Sequence, residues 1–163
     1  MFMRKRTLVL AVVVLFSAGA CWMAYGINAH PSLAPYRSYL LPATNTNSPA
    51  LRVVFLGVST LLLDDGETAI LTDGFFTRPR KLQLLGKIEP DRELIGRLLE
   101  RAGISRLAAV IAVHSHYDHA MDSPEVAQRT GALLIGSSST ANIGRGAGMA
   151  EDRLRIRRQR PRQ

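Results

Sequence analysis

The sequence predicts an α/β fold with a mixed sheet, preceded by one hydrophobic helix. Three observations predict it. Residues 7–27 form an uncharged run, short strand-like runs alternate with helix-like segments from residue 51 onward, and a hairpin signal precedes the first of those helices. Because 47% of the 163 residues are hydrophobic, the chain can bury a core and does not have a disordered composition.

The amino-terminal segment has the composition of a membrane anchor or an export signal. A basic n-region, residues 1–6, precedes the uncharged residues 7–27. A helix of that length, rising about 1.5 Å per residue, spans a hydrocarbon core of about 30 Å. A signal anchor is one interpretation, a signal peptide cleaved at Ala18-Gly-Ala20 is another, and lipidation of Cys21 is a third. All three predict that the remainder of the chain is exported, either membrane-anchored or periplasmic or extracellular.

Residues 28–50 predict a proline-rich linker, because its prolines oppose both helix and central strand. The prolines are Pro31, Pro35, Pro42 and Pro49.

Strand signals begin after the linker. Residues 51–56 are rich in β-branched and aromatic side chains, Gly57 interrupts them, and residues 59–63 resume the pattern. Asp65-Gly66 predicts a two-residue hairpin turn, because both residue types tolerate positive φ. The return strand is predicted over residues 68–72, and it ends at Asp73.

Two helices are predicted beyond an irregular stretch. Pro90 begins the first helix, which carries an apolar stripe at helical spacing and ends at Gly103. Pro124 stands at the first position of the second helix, which ends at Gly131.

Further strands are predicted beside these helices. Residues 107–113 are almost wholly apolar, which is typical of a central strand that is covered on both faces, and residues 132–135 predict the next strand. Residues 144–148 are rich in glycine but lack the spacing of a phosphate-binding loop, so they predict a flexible loop.

The basic residues concentrate at the two ends of the chain. Of the formal net charge of +8, residues 1–6 carry +3 and residues 151–163, which include the Arg-rich tail of residues 153–163, carry +4. No aromatic side chains interleave with the tail arginines, so no nucleic-acid partner is predicted. Because the tail changes in composition so abruptly, we expect a truncated or frame-shifted product. The one cysteine excludes an internal disulfide and a two-cysteine metal motif.

Four candidate metal ligands lie within six residues: His114, His116, Asp118 and His119. Imidazole and carboxylate suit Zn²⁺, and Fe or Mn is an alternative. In an extended chain, side chains at i, i+2 and i+4 share a face, so His114, His116 and Asp118 are expected to converge while His119 points elsewhere. The cluster lies directly after a predicted buried strand, where α/β sheets place their sites.

The pattern His-x-His-x-Asp-His resembles the signature of the metallo-β-lactamase superfamily. The resemblance extends over residues 51–152, through Leu56-Gly-Val-Ser-Thr60, the hairpin Leu63-Asp-Asp-Gly-Glu67 and Thr72-Asp-Gly-Phe-Phe76. It implies a partial metallo-β-lactamase-like domain over residues 51–152, the first half of an αββα sandwich. It also implies a metal-dependent hydrolase, commonly with two zinc ions.

The resemblance also implies roles for residues. His114 and His116 would bind the first metal, and Asp118 and His119 would bind the second. Asp118 would also handle a proton as the catalytic side chain. Asp73 would orient a metal ligand without binding the metal itself. The alternative interpretation is that Asp73 only ends a strand in a turn. A metal-activated water would attack a small-molecule substrate, whose type the sequence does not identify.

The family's site also needs a third histidine, a bridging aspartate and a late histidine, and no histidine comes after His119 in this sequence. We therefore expect half of a ligand set, and no activity from this chain alone. The alternative function is a non-catalytic exported module that binds a metal or a partner.

Overall fold

The computed structural model describes residues 2–29, 32–39 and 51–157, and the chain forms two compact units that divide after Asn45. In the first unit, helix α1 (Phe2–Asn28) precedes a 3₁₀ helix at Ala34–Tyr39. The predicted linker is therefore not extended throughout. Met1 of the n-region, linker residues 30–31 and 40–50, and tail residues 158–163 lie outside the described residues.

Helix α1 has no buried face within the described residues. Its segment Lys5–Asn28 is long and apolar enough to cross a membrane, by length and composition. A signal sequence at an amino terminus has the same properties. The structure thus agrees with the predicted hydrophobic helix and leaves both an anchor and a cleaved signal open.

The second unit is built on a mixed sheet with the strand order β1-β2-β3-β4-β5-β6 in its described part. The first three strands are antiparallel, and β3 to β6 run parallel. The predicted α/β fold with a mixed sheet is confirmed. The strands are β1 (Arg52–Gly57), β2 (Thr60–Asp64), β3 (Ala69–Thr72), β4 (Ala109–Ile111), β5 (Leu133–Gly136) and β6 (Leu154–Ile156).

The tightest turn of the sheet lies between β1 and β2, where the sequence indicated only an interruption. Gly57 pairs with Thr60 across Val58 and Ser59, and Val58 has a φ of 55°. The β-branched side chain of valine disfavours that conformation, so the sequence did not indicate a turn there.

The predicted two-residue turn at Asp65-Gly66 is wrong. Asp64 pairs with Ala69, so four residues connect β2 to β3. The carboxylate of Asp65 accepts hydrogen bonds from the backbone N–H groups of Glu67 and Thr68, at 3.0 and 2.6 Å. This side-chain hydrogen bonding stabilises a wider loop in place of the tight turn.

Helices α2 (Arg92–Arg101), α4 (Ser123–Thr130) and α5 (Ser138–Gly146) supply the apolar residues that pack on one face of the sheet. The Asp91 carboxylate accepts from the Leu94 N–H at 2.9 Å and caps the start of α2. Gly131, at a φ of 75°, ends α4 as the sequence predicts. The core comprises Leu62, Leu71, Phe76, Ile95, Leu99, Ile104, Leu107, Val110, Val126, Ala127, Ala132, Leu134, Ala141, Met149 and Leu154.

The side chains on the other face of the sheet are also apolar, but more of their surface is exposed to solvent. One row across five strands reads Val53, Leu63, Ile70, Ala109 and Leu133, in register. On the outer strand Val53 is 56% exposed, so burial on this face is lowest at β1.

The region after β5 differs most from the sequence-based expectation. Residues 144–146, predicted as part of a flexible loop, form the last turn of α5. A Cβ added at Gly144 would meet the Leu154 side chain at 2.7 Å, so glycine lets α5 lie close to the sheet.

The Arg-rich tail, expected outside the domain from residue 153, begins inside the sheet. Leu154 is buried and pairs with Leu134 in β5. The Arg153 guanidinium donates to the backbone carbonyls of Ala127 and Ala132, so this arginine contacts the end of α4 and the segment after it.

The place of β6 in the fold predicts different effects for two neighbouring substitutions. Leu154→Ala removes a core side chain and should lower the free energy of unfolding by about 2–4 kcal/mol. Ile156→Ala, at a position that is 49% exposed, should cost less than about 1 kcal/mol. Chemical unfolding of the two variants measures the difference. Equal and small losses would contradict the burial of residue 154.

Candidate metal centre

The histidine cluster lies between the end of β4 and the start of α4. It is not extended throughout, because a single helical turn, α3 (Tyr117–Ala120), begins after His116. The backbone N–H groups of His119 and Ala120 both donate to the His116 carbonyl, at 3.1 and 2.9 Å. A turn of four residues carries too few apolar positions to show a helical period in the sequence.

The turn changes which side chains meet. His114, Asp118 and His119 each offer one ligand atom, and these atoms lie within 4.8 Å of one another. Nε2 of His119 is 3.7 Å from Oδ2 of Asp118, and the ring centroids of His114 and His119 are 3.9 Å apart. The expectation that His119 points away from the cluster is therefore wrong.

His116 contacts the same cluster from its edge. Its ring centroid lies 4.6 Å from that of His114, with the two ring planes at 77°. Its side chain is exposed, and its nitrogen atoms are not part of the group of three. The residue expected to converge with His114 and Asp118 thus lies beside them.

Asp73 lies beneath the cluster and has no exposed surface. Its Oδ2 is 2.8 Å from Nδ1 of His119, and its Oδ1 accepts from the Val113 N–H at 2.8 Å. Its own N–H donates to the Ile111 carbonyl at 2.9 Å. With a φ of 52°, Asp73 leaves β3 in a left-handed conformation that aspartate tolerates better than most residues. It is therefore both the end of a strand and a direct partner of His119.

Ser59 is a neighbour of the cluster that sequence reasoning did not identify. Its hydroxyl hydrogen-bonds Oδ2 of Asp73 and lies 2.9 Å from Nδ1 of His119. The one sequence signal for Ser59 was its place in the Leu56–Thr60 segment, which resembles the family but suggested no role for the serine.

Asp122 holds the loop that follows Asp73 through three hydrogen bonds. Its buried carboxylate accepts from the N–H groups of Phe76 and Thr77, at 2.7 and 2.6 Å, and from the Thr77 hydroxyl at 2.8 Å. Burial raises the pKa of Asp122, and the hydrogen bonds from Thr77 and Phe76 oppose that rise. Asp122 therefore has a structural role, because it joins the start of α4 to the loop after Asp73.

The hydroxyl of Ser123 also supports the cluster, through hydrogen bonds to two backbone carbonyl groups. Ser123 donates to the backbone carbonyl of Asp73 and to that of His119, the latter at 3.1 Å. The helical turn with His119 is thereby joined to the end of β3 through the start of α4.

The donor set fits a divalent cation. Two imidazoles and a carboxylate are ligands that zinc accepts, at about 2.0–2.2 Å each, which puts neighbouring ligand atoms about 3.4 Å apart in a tetrahedral site. The present atoms, within 4.8 Å of one another, need only small side-chain rotations to reach that spacing. Asp118, whose side chain is 45% exposed, has room to rotate.

Comparisons with known proteins agree with this arrangement. The family model of the metallo-beta-lactamase superfamily matches residues 53–162. A "UPF0173 metal-dependent hydrolase" of Heliobacterium modesticaldum (strain ATCC 51547 / Ice1) is 30% identical over 92 residues, which cover 56% of this chain. The matched segment spans 32% of that relative, about a third of its length. Because the family model matches more than half of the chain, the chain belongs to the metallo-beta-lactamase superfamily.

Proposed function

We propose that this chain provides the metal-binding loop of an exported, metal-dependent hydrolase that acts on a small-molecule substrate. The observation that carries the proposal is the cluster of His114, Asp118 and His119, in which Asp73 holds the ring of His119 from behind. The relative's description as a metal-dependent hydrolase supports the same reaction class.

In this proposal His114, Asp118 and His119 would hold a divalent ion, and His116, whose ring contacts that of His114, would supply a further ligand beside them. Zinc suits the two donor types best, and iron or manganese is compatible with them. When bound, such an ion supplies Lewis acidity and an activated water at neutral pH.

The side chains of the chain supply the rest of the chemistry. The Nδ1 side of His119 faces Asp73, so its Nε2 is the atom directed toward Asp118. Asp118 is the partly exposed carboxylate of the cluster, and we propose that it accepts a proton from the attacking water and returns one to the leaving group. Asp73 is excluded from solvent and therefore acts through His119 rather than on a substrate.

Zinc binding and hydrolysis by the purified full chain test this proposal. We expect His116→Ala and Asp118→Ala each to weaken zinc binding at least about 10-fold, because each removes a ligand. The measurements are metal stoichiometry after dialysis and competition with a coloured chelator. His30→Ala, at the one histidine of the sequence that lies outside the loop, is the matched control and should bind zinc as the wild type does.

The hydrolysis arm tests whether this chain completes a catalytic site on its own. Zinc-dependent cleavage of ester, lactam or phosphodiester substrates that Asp118→Ala abolishes would support the hydrolase. Zinc binding with no cleavage of any of these substrates is the result expected of a chain that supplies half of the ligand set, and it does not distinguish that chain from the non-catalytic module. Unchanged zinc stoichiometry in both loop variants would contradict the proposed ligands themselves.

Export is a separate part of the proposal, and it rests on α1. The basic residues at the start of α1, followed by an uncharged run in a helix that is long enough to cross a membrane, predict translocation of the chain beyond that helix. We expect a reporter enzyme that is active only outside the cytoplasm to be active when it is fused after Ala50. The matched control carries Val12→Asp and Leu15→Asp in α1, which should silence the reporter at equal expression. A silent wild-type fusion would contradict export.

A further inference from the structure

Ser59 forms the third corner of a hydrogen-bonded triangle with Asp73 and His119. Its Oγ bonds Oδ2 of Asp73, Oγ is 2.9 Å from Nδ1 of His119, and Nδ1 is 2.8 Å from that same Oδ2. Asp73 is fully buried and the His119 side chain is 15% exposed, so the triangle is largely shielded from water.

The three contacts together determine where the protons lie. The Ser59 hydroxyl donates its one proton to Oδ2 of Asp73, which accepts it. Once that proton is used, the Ser59 oxygen can only accept from His119. Both neighbours of Nδ1 are then acceptors, which places the ring proton of neutral His119 on Nδ1 and leaves the lone pair on Nε2.

We propose that Ser59 is a positioning residue that, with Asp73, fixes the tautomer and the ring orientation of His119. Nε2 then faces Asp118 as a free lone pair, which is the form that binds a metal. This inference rests on the proposed metal role of His119 and adds to it a residue that the metal loop does not contain. Ser59 acts through His119 and touches neither metal nor substrate.

The turn that carries Ser59 is itself held firmly. The hydroxyl of Thr72 donates to the Ser59 carbonyl and accepts from the Leu61 N–H at 2.9 Å. The Arg78 guanidinium donates to the Leu56 carbonyl and lies over Gly57, where an added Cβ would come within 1.9 Å of it. The position of the serine oxygen is therefore set by the fold, which a positioning role requires.

The tautomer of His119 in the metal-free full chain is the direct test. Ring ¹⁵N shifts, recorded with the ring in its neutral form and assigned with a His119→Ala variant, distinguish Nδ1–H from Nε2–H. We expect Nδ1–H alone in the wild type and a measurable Nε2–H fraction in Ser59→Ala. Ser59→Thr retains the hydroxyl and should resemble the wild type. Ser105→Ala, at an exposed serine, is the control and should have no effect.

Zinc affinity is the second readout. Loss of a hydrogen bond behind a ligand typically weakens metal binding about 10–100-fold, so we expect at least about 10-fold weaker binding in Ser59→Ala and little change in Ser59→Thr. If the wild type binds no zinc, the proposed function fails, yet the tautomer measurement still decides the role of Ser59.

Two results would overturn the inference. One is a wild-type His119 that carries its proton on Nε2, a result that needs no Ser59 variant and so remains decisive even if Ser59→Ala fails to fold. The other is a folded Ser59→Ala chain that matches the wild type in both tautomer and zinc affinity.

Discussion

The rest of the second unit depends on the hydrogen bonds that the carboxylate of Asp73 accepts. It accepts from the Ser59 hydroxyl in the β1–β2 turn, from the Val113 N–H after β4 and from the ring of His119. Each buried donor left without an acceptor costs about 1–3 kcal/mol, so one side chain holds three segments that are distant in sequence. Its left-handed backbone, at a φ of 52°, also ends β3 at this position.

This arrangement explains why the cluster lies at the end of the parallel strands. The strands β3 and β4 are neighbours, and both end below the histidine loop, where Asp73 and Val113 meet. The turn between the antiparallel strands β1 and β2 brings Ser59 to the same carboxylate of Asp73. Asp122 then holds the loop after Asp73 against α4, so the surroundings of the cluster are fixed by buried side chains.

Features with strong local signals could be predicted from the sequence. The glycines that follow α2 and α4, the buried strand β4 and the hydrophobic α1 all carry such signals, and the density of histidines indicated the candidate metal-binding loop. Asp73 was recognisable because an aspartate ends a predicted strand in a segment that resembles the family. The αL conformation and the buried contacts of that residue were not visible in the sequence.

Features determined by tertiary contacts could not be predicted in this way. Val58 adopts a positive φ in the turn between the paired strands β1 and β2, and the Arg78 guanidinium hydrogen-bonds the Leu56 carbonyl beside that turn. Residues 144–146 continue a helix because a buried glycine lets α5 meet Leu154 and Leu134. Arginines in the carboxyl-terminal segment looked like a low-complexity tail, although Arg153 hydrogen-bonds carbonyl groups at and after the end of α4.

In the proposed site, Asp73 presents Nε2 of His119 to a metal that His114 and Asp118 also bind. Anomalous diffraction at the zinc edge, from crystals of the full chain grown with zinc, would locate that metal. We expect a zinc peak about 2.0–2.2 Å from Nε2 of His119 and from a carboxylate oxygen of Asp118, with Nδ1 still bonded to Asp73. A zinc ion bound through Nδ1 of His119, with Asp73 displaced, or a zinc peak away from these residues would contradict it.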